Sequence, residues 1–231
     1  MNKEQFKEEL KKLNITLTKT QENQLEEYYN LLIEENKKIN LTTITKKEDV
    51  YLKHFYDSLT IIKVIDLTKK ETLIDIGTGA GFPGLVLKIV FPNLKVTLLD
   101  SLNKRINFLN KVIEKLNLTN IKTVNSRIET YQQETFDIVT SRAVSKINIL
   151  LELSCQLVKK EGFLILLKAN ALEELKASKN SLDKLNFKLI KKEEFLLPIE
   201  NSLRTILKFQ KIKTTPNKYP RNFAKIKKNP L

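Results

Sequence analysis

The residues with the clearest chemical signature are four glycines within eight positions, in a chain that has only five. Gly77, Gly79, Gly81 and Gly84 come directly after a short apolar segment at residues 73–76. Glycine adopts positive φ without strain and lets other groups approach the backbone closely. A glycine-rich turn between a strand and a helix therefore predicts a ligand that lies against bare backbone, beside a helix N-terminus. A tight turn without a ligand is the alternative.

The acidic residue before this turn indicates which ligand it binds. Three of the glycines also match G-x-G-x-x-G, the pattern of dinucleotide-binding sheets. However, Asp75 stands two residues before the first glycine and extends the motif to D-x-G-x-G-x-G. A carboxylate there repels the pyrophosphate of NAD and suits the ammonium end of S-adenosylmethionine. The motif therefore favours S-adenosylmethionine over a nicotinamide dinucleotide.

A second acidic residue fits a nucleoside ligand. Asp100 ends the next apolar segment, where a carboxylate can accept hydrogen bonds from both ribose hydroxyls. Its alternative role is a helix cap shared with Ser101. Residues 126–129 follow the third segment and would border an adenine ring, and residues 141–143 follow the fourth.

The groups that would activate a poorly nucleophilic base are missing from the sequence. No D/N-P-P-Y/F motif follows the fourth segment, which argues against transfer to exocyclic amines of adenine or cytosine. Cys155, the single cysteine, lies in an apolar helical stretch and is expected to be a buried small residue. His54, the only histidine, is by itself more typical of a half-buried helix residue than of a base. The target atom should therefore already be nucleophilic.

These motifs are held by β-branched segments that alternate with helical ones. Strands are predicted at residues 73–76, 96–99, 121–124, 136–140, 163–167, 189–197 and 203–209. Helices are predicted at residues 84–90, 104–115, 147–158 and 171–185. The first five strands should run parallel, whereas the last two are joined by only five residues and should form an antiparallel hairpin. The fold class is therefore α/β, with the Rossmann-like sheet of class I methyltransferases.

The first seventy residues have a helical pattern instead. One amphipathic helix is predicted, and its apolar face is made of Leu25, Tyr28, Tyr29, Leu32 and Ile33. A cap for this helix is expected near Thr18 or Thr20. A second helix is predicted from about residue 49 to residue 64. Together they indicate an N-terminal helical extension of the sheet.

The chain has 231 residues and a formal net charge of +14, and its end is its most basic part. Residues 211–231 contain seven basic residues and no acidic one. Such a segment attracts polyanions, and nucleic acid is the commonest of them. A solvated terminus is one alternative, and packing on the sheet through Tyr219 and Phe223 is another. We divide the chain into a helical extension (1–70), a methyltransferase domain (71–210) and this basic tail (211–231).

Composition excludes several classes of protein. Hydrophobic residues at 41% and charged residues at 29% are typical of a folded core rather than of disorder. No apolar stretch approaches the ~18 residues of a membrane span, and the start has no signal region. One cysteine makes no internal disulfide, and one cysteine with one histidine makes no zinc cluster. We expect a soluble cytoplasmic monomer that binds no metal.

Several stretches are more specific in combination than the glycine pattern alone. They lie at residues 40–42, 53–59, 75–84, 99–105, 141–143, 218–221 and 228–231. Together they resemble, over nearly the whole chain, the bacterial 16S ribosomal RNA guanine-N7 methyltransferases, also called glucose-inhibited division protein B. The chain departs from the family at Asn222-Phe223-Ala224, where Gly-Thr-Pro is usual, and at Ile128, where a small residue is common.

The resemblance implies a cofactor and site residues by matching position. S-adenosylmethionine would contact Gly77, Phe82, Ile128, Glu129 and Arg142. Asp75, Gly79, Gly81 and Asp100 are added from the physical arguments above. Arg142 would lie at the junction of cofactor and guanine as the catalytic residue, with no general base. The tail would contact RNA through Lys218, Arg221, Lys225, Lys227 and Lys228.

The implied substrate is a guanine of small-subunit ribosomal RNA, free or in a ribosomal particle. Guanine N7 bears a lone pair and no proton, which agrees with the missing base. A non-catalytic RNA-binding or ribosome-assembly factor with the same fold is the alternative from another class. An NAD oxidoreductase is a third, which Asp75, the terminal hairpin and the tail disfavour.

Overall fold

A computed structural model describes residues 1–69, 71–131 and 133–231. Lys70, the predicted last residue of the N-terminal extension, lies outside the described residues. The strands within them are β1 (Thr72–Ile76), β2 (Lys95–Asp100), β3 (Ile121–Asn125), β4 (Phe136–Arg142), β5 (Val158–Lys168), β6 (Phe187–Leu196) and β7 (Leu203–Lys211). They form one sheet in the order β3-β2-β1-β4-β5-β7-β6.

The direction of the strands confirms the predicted arrangement. β1 to β5 pair in parallel, and β7 runs antiparallel to both β5 and β6. The terminal hairpin therefore does not simply add to the edge, because its second strand lies between β5 and its first strand. Parallel strands end at one edge of the sheet, so the segments after β1, β2, β3 and β4 meet there.

Helices at the N-terminus cover one face of the sheet. They are α1 (Lys3–Lys12), α2 (Lys19–Ile39), α3 (Lys47–Val50) and α4 (Asp57–Leu59). A π-helical segment, Tyr51–Tyr56, joins α3 to α4, and a 3-10 turn, Thr60–Lys63, follows. Thr18 caps α2 reciprocally with Gln21, as one of the two predicted positions.

The remaining helices connect the strands. They are α5 (Gly84–Val90), α6 (Asn103–Lys115), α7 (Ile147–Ser154), α8 (Leu172–Ala177), α9 (Lys179–Leu185) and α10 (Phe223–Lys228). One hydrophobic cluster joins the N-terminal helices to α5, α6 and one sheet face, and a second joins α7 and α9 to the other. Both faces are thereby covered, as a parallel sheet requires. In the described parts of the chain, no helix is long and apolar enough to cross a bilayer.

Two predicted boundaries and one predicted helix were wrong. The helix predicted at residues 147–158 ends at Ser154, and β5 begins at Val158 rather than at residue 163. Residues 159–161 are polar and interrupt the apolar pattern, so the sequence does not indicate that the strand begins before them. The pairing of β5 with β4 shifts register at these residues. The helix predicted at residues 171–185 is two helices that meet at Ser178. The Ser178 hydroxyl donates to the carbonyl of Glu174, a bond that bends helices.

Candidate functional site

The glycine turn combines one open position with one packed position. Gly77, Gly79 and Gly81 have φ of 68°, 61° and 107°. A Cβ placed on Gly79 would meet nothing within 4 Å, whereas one on Gly81 would lie 2.6 Å from Tyr28 Oη. Gly79 therefore opens on the cavity described below, and Gly81 is needed so that α2 can approach the turn. Gly81 does not line that cavity, contrary to the expected cofactor contact.

Asp75 lies beneath the turn rather than beside a ligand. Its side chain is fully buried, and Oδ2 accepts hydrogen bonds from Thr78 Oγ1 at 2.7 Å and from the Gly84 amide at 2.8 Å. Burial raises the pKa of Asp75 to about 6, and these two hydrogen bonds oppose the shift. Oδ1 has no hydrogen-bond partner among the described residues. Asp75 thus holds the turn to α5, and it does not line the cavity as the predicted ammonium contact would have to.

Asp100 reaches the cavity from the end of β2. Its Oδ2 accepts from the Gly79 amide at 2.9 Å and from Arg105 Nη1 at 3.1 Å, and Oδ1 accepts from the Leu102 amide at 2.9 Å. Leu102 directly precedes α6, so the bond from its amide resembles the helix cap that was the alternative role of Asp100. Since Asp100 lines the cavity as well, it connects β2, the glycine turn and the start of α6 at the point where a ribose would lie.

A cavity of about 880 Å³ runs along the carboxyl edge of the sheet. The groups that line the cavity follow one another in the order of the strands. The turn with Ile128 and Glu129 follows β3, Asp100 ends β2, the glycine turn follows β1, and Arg142 ends β4. Phe82 also lines it and is 6% exposed. Ile128 and Glu129 form a 3-10 turn with Thr130. The structure thus brings together Gly77, Gly79, Phe82, Asp100, Ile128, Glu129 and Arg142.

The Arg142 guanidinium is held by the irregular helical segment of the N-terminus. Nη1 donates to the Lys53 carbonyl at 2.7 Å and lies 3.3 Å from Asp57 Oδ2, and Nη2 lies 3.1 Å from His54 Nδ1. Arg204 Nε donates to the other Asp57 oxygen at 3.1 Å. The π-helical segment turns Lys53 and His54 toward the cavity, a frequent role of such segments at functional sites, and Asp57 follows it directly as the first residue of α4.

His54 is a neutral orienting group in this network. Its ring stacks on Phe82 with centroids 4.2 Å apart and planes 16° apart. A guanidinium has only donors, so Nδ1 accepts from Arg142, and Nε2 therefore carries the proton and donates to Thr42 Oγ1 at 2.9 Å. Burial, followed by the charge of Arg142, lowers the pKa of His54 to about 3. The Nδ1 lone pair is thus occupied, and His54 cannot act as a general base here.

The basic tail is docked on the protein. Tyr219 is 8% exposed, and Ile226 of α10 is fully buried. Arg221 donates from Nε and Nη2 to the two carboxylate oxygens of Glu152, both at 2.7 Å, and Glu152 is fully buried. The charge of Arg221 is therefore paired within the protein, and its contact with RNA stays a prediction. Four lysines of the predicted set remain exposed: Lys218, Lys225, Lys227 and Lys228.

Sequence reasoning missed several residues of this cavity. They are Thr42, Asp57, Arg105, Arg204 and Phe223. Thr42, Asp57 and Arg105 lie in stretches that carried the family resemblance, so a signal existed for these three. Arg204 is one of three basic residues of β7, and nothing in the sequence distinguishes it from the other two. Phe223 was named only as a residue through which the tail packs on the sheet, because an aromatic residue in a basic tail does not indicate that it lines a cavity. No group of side chains suited to hold a metal ion occurs among residues 1–69, 71–131 and 133–231.

Solved structures with a similar fold include methyltransferases. A SAM dependent methyltransferase from Aquifex aeolicus superposes with a TM-score of 0.57 at 19% identity, over 74% of this chain and 97% of that one. A methyltransferase from Pyrococcus furiosus gives a TM-score of 0.59 at 20% identity, over 82% and 98%. At these identities the likeness shows the fold alone.

Sequence comparison is more specific than the fold. The ribosomal RNA small subunit methyltransferase G of Bacillus subtilis is 48% identical, over 100% of this chain and 99% of the relative. Its counterpart in Levilactobacillus brevis is also 48% identical, with the same coverage. The family model GidB, described as rRNA small subunit methyltransferase G, matches residues 21–202. The chain therefore belongs to the GidB family of rRNA small subunit methyltransferases.

Proposed function

We propose that this protein transfers a methyl group from S-adenosylmethionine to N7 of a guanine in small-subunit ribosomal RNA. The observation that supports this most is the order of groups along one cavity: a nucleoside-type carboxylate, an open glycine and an arginine fixed beside a neutral histidine. Family membership adds the class of substrate.

The cavity fits the cofactor by two features of its own. The absence of atoms within 4 Å of a Cβ on Gly79 leaves bare backbone facing the cavity. Asp100 supplies a buried carboxylate, 3% exposed, to the ribose hydroxyls. Ile128 and Glu129 would hold the adenine, and Gly77 and Phe82 the amino-acid end. When bound there, the sulfonium supplies an electrophilic methyl group.

Arg142 orients the guanine in this proposal. Its bonds to Lys53, Asp57 and His54 use three of five N–H groups and fix the plane of the guanidinium. Guanine presents O6 and N7 as acceptors on one edge. A donor on N7 would occupy the lone pair that must attack the methyl group, so Arg142 has to donate to O6. This contact places N7 without blocking it, and alignment of the reactants supplies the catalysis.

No proton has to leave before transfer, because N7 carries none. The neutral His54 is consistent with this requirement, since it serves to hold Arg142 and Thr42 rather than to abstract a proton. The methylated guanine gains a positive charge in the product. Asp57 lies between Arg142 and Arg204 and lowers the local positive charge that would oppose it.

The test is methyl transfer to unmodified small-subunit RNA, offered free and as an assembled subunit, with tritiated S-adenosylmethionine. N7-methylguanosine is located by borohydride reduction and aniline cleavage. We expect label at one guanine, and Arg142→Ala should lower transfer at least 100-fold while RNA retention stays within about threefold. Lys176→Ala, at an exposed site on α8, is the matched control. RNA binding without any transfer by the unaltered protein would instead support the non-catalytic assembly factor.

A further inference from the structure

The C-terminal tail is fixed to the protein at three places. Arg221 pairs with the buried Glu152 of α7, and Ile226 is fully buried. At the end of the chain, the carbonyl of Leu231 accepts a hydrogen bond from Ser181 Oγ of α9 at 2.9 Å. Phe223, the first residue of α10, lies between the first two of these places. Its ring position is therefore set by the docked backbone.

Phe223 is half-buried and lines the same cavity as the glycine turn. Leu153, on α7 next to Glu152, lines it too and is 3% exposed. α7 contacts both α10 and the 3-10 turn Ile128–Thr130. Since that turn follows β3 and Arg142 ends β4, two strands separate Ile128 from the arginine network, and α7 brings Leu153 and the docked tail to the Ile128 side. The cavity thus has a polar side at Arg142 and an apolar side at Ile128, Leu153 and Phe223.

We propose that Phe223 forms a wall of the adenine subsite, so that the basic tail is a part of the cofactor site. This rests on the proposed function, which places S-adenosylmethionine in the cavity with its ribose at Asp100. The sulfonium end then points toward Arg142, and the adenine ring reaches the side lined by Ile128, Leu153 and Phe223. A purine ring in contact with an aromatic side chain gains stacking and loses contact with water.

The proposal is tested by calorimetric binding of S-adenosylhomocysteine, which contains the same adenosine. Phe223→Ala should weaken this binding by about 10-fold or more, the loss expected for one base–aromatic contact. Asn217→Ala, at an exposed position of the same tail, is the matched control and should bind like the unaltered protein. Binding by Phe223→Ala within twofold of the unaltered protein overturns the inference. If the unaltered protein does not bind S-adenosylhomocysteine at all, the proposed function fails as well.

A second measurement reports contact directly, independently of any change in tail docking. The chain contains no tryptophan, so Phe223→Trp introduces a single indole whose emission reports its surroundings. S-adenosylhomocysteine should quench this emission with a saturable titration. Ile190→Trp, on the exposed side of β6 at a site 42% exposed, should show no response. An equal response of the two variants, or none from Phe223→Trp, contradicts the adenine contact. If Phe223→Ala loses affinity for RNA and keeps its affinity for S-adenosylhomocysteine, Phe223 contacts RNA instead of adenine. That result also overturns the inference.

Discussion

At the scale of single residues, two buried titratable groups of the site respond to acid in opposite ways. His54 has a pKa lowered to about 3, and Asp75 has a pKa raised to about 6, in both cases mainly by burial. Folding therefore expels a proton from His54 in mild acid and takes one up at Asp75. The contribution of His54 to stability is present above its unfolded pKa of about 6.5 and is lost as pH falls, whereas that of Asp75 is lost as pH rises toward 6.

Because the two effects oppose each other, the contribution of His54 to the free energy of unfolding has to be measured as a difference between the unaltered protein and a His54 variant. The free energy of unfolding of the unaltered protein minus that of His54→Gln should fall by about 1.4 kcal/mol per pH unit below about pH 6. Urea denaturation at several pH values between 5 and 8 gives this difference. A constant difference over the whole range would show that His54 titrates alike in both states, and the neutral form assigned to it would be wrong.

The neighbouring glycines of the turn should respond differently to alanine. At Gly79 there is space for a methyl group, so Gly79→Ala is expected to cost only about 1–2 kcal/mol for its positive φ, while the methyl group intrudes on the cofactor. At Gly81 the added atom would lie 2.6 Å from Tyr28 Oη, so Gly81→Ala should destabilise the fold by more than that. Urea unfolding and S-adenosylhomocysteine calorimetry separate the two effects. Equal loss of stability in both variants would contradict the difference.

At the scale of elements, strands and crossover helices could be predicted because their apolar patterns are continuous. The failures came where polar contacts decide, as at Ser178, which divides one predicted helix, and at residues 159–161, which hide the start of β5. The site shows the same contrast. Asp100 and Gly79 could be predicted from motif spacing, whereas Asp75 and Gly81 were assigned to a ligand although their partners, Gly84 and Tyr28, lie within the protein. Spacing cannot tell a residue that contacts a ligand from one that supports it.

The ion pair between α7 and the tail can be tested as an element. Arg221→Met leaves the fully buried Glu152 carboxylate without its cation, and we expect a loss of about 3 kcal/mol in the free energy of unfolding. If the tail undocks in this variant, Glu152 becomes exposed to water, and the loss in the free energy of unfolding cannot exceed the free energy of tail docking. The double variant Glu152→Leu with Arg221→Met should recover most of it, because both charges are removed together. Additive losses in the double variant would show that the pair is not coupled.

At the scale of the whole molecule, the exposed lysines of α10 should govern the salt dependence of RNA binding. Lys225, Lys227 and Lys228 are exposed, whereas Arg221 is paired and Lys211 is buried, so fewer charges are free than the composition of the tail suggests. Replacing these three lysines with alanine should make the slope of log affinity against log salt shallower by about 2 to 3 units. Binding titrations between 50 and 300 mM salt measure it. S-adenosylhomocysteine affinity is the control, and an unchanged slope would show that α10 does not meet phosphate.

The position of β7 between β5 and β6 also constrains the order in which the chain can mature during synthesis. A nascent chain emerges from its N-terminus, so β1 to β4 and the glycine turn are complete while β5 still has an unpaired edge, which only β7 satisfies. Until then β6 has no neighbour within the sheet, because it pairs with β7 as well. A polypeptide interrupted before residue 203 thus presents an open strand edge at β5, and such an edge promotes aggregation. The sheet can therefore be completed only when the chain has been released as far as Lys211.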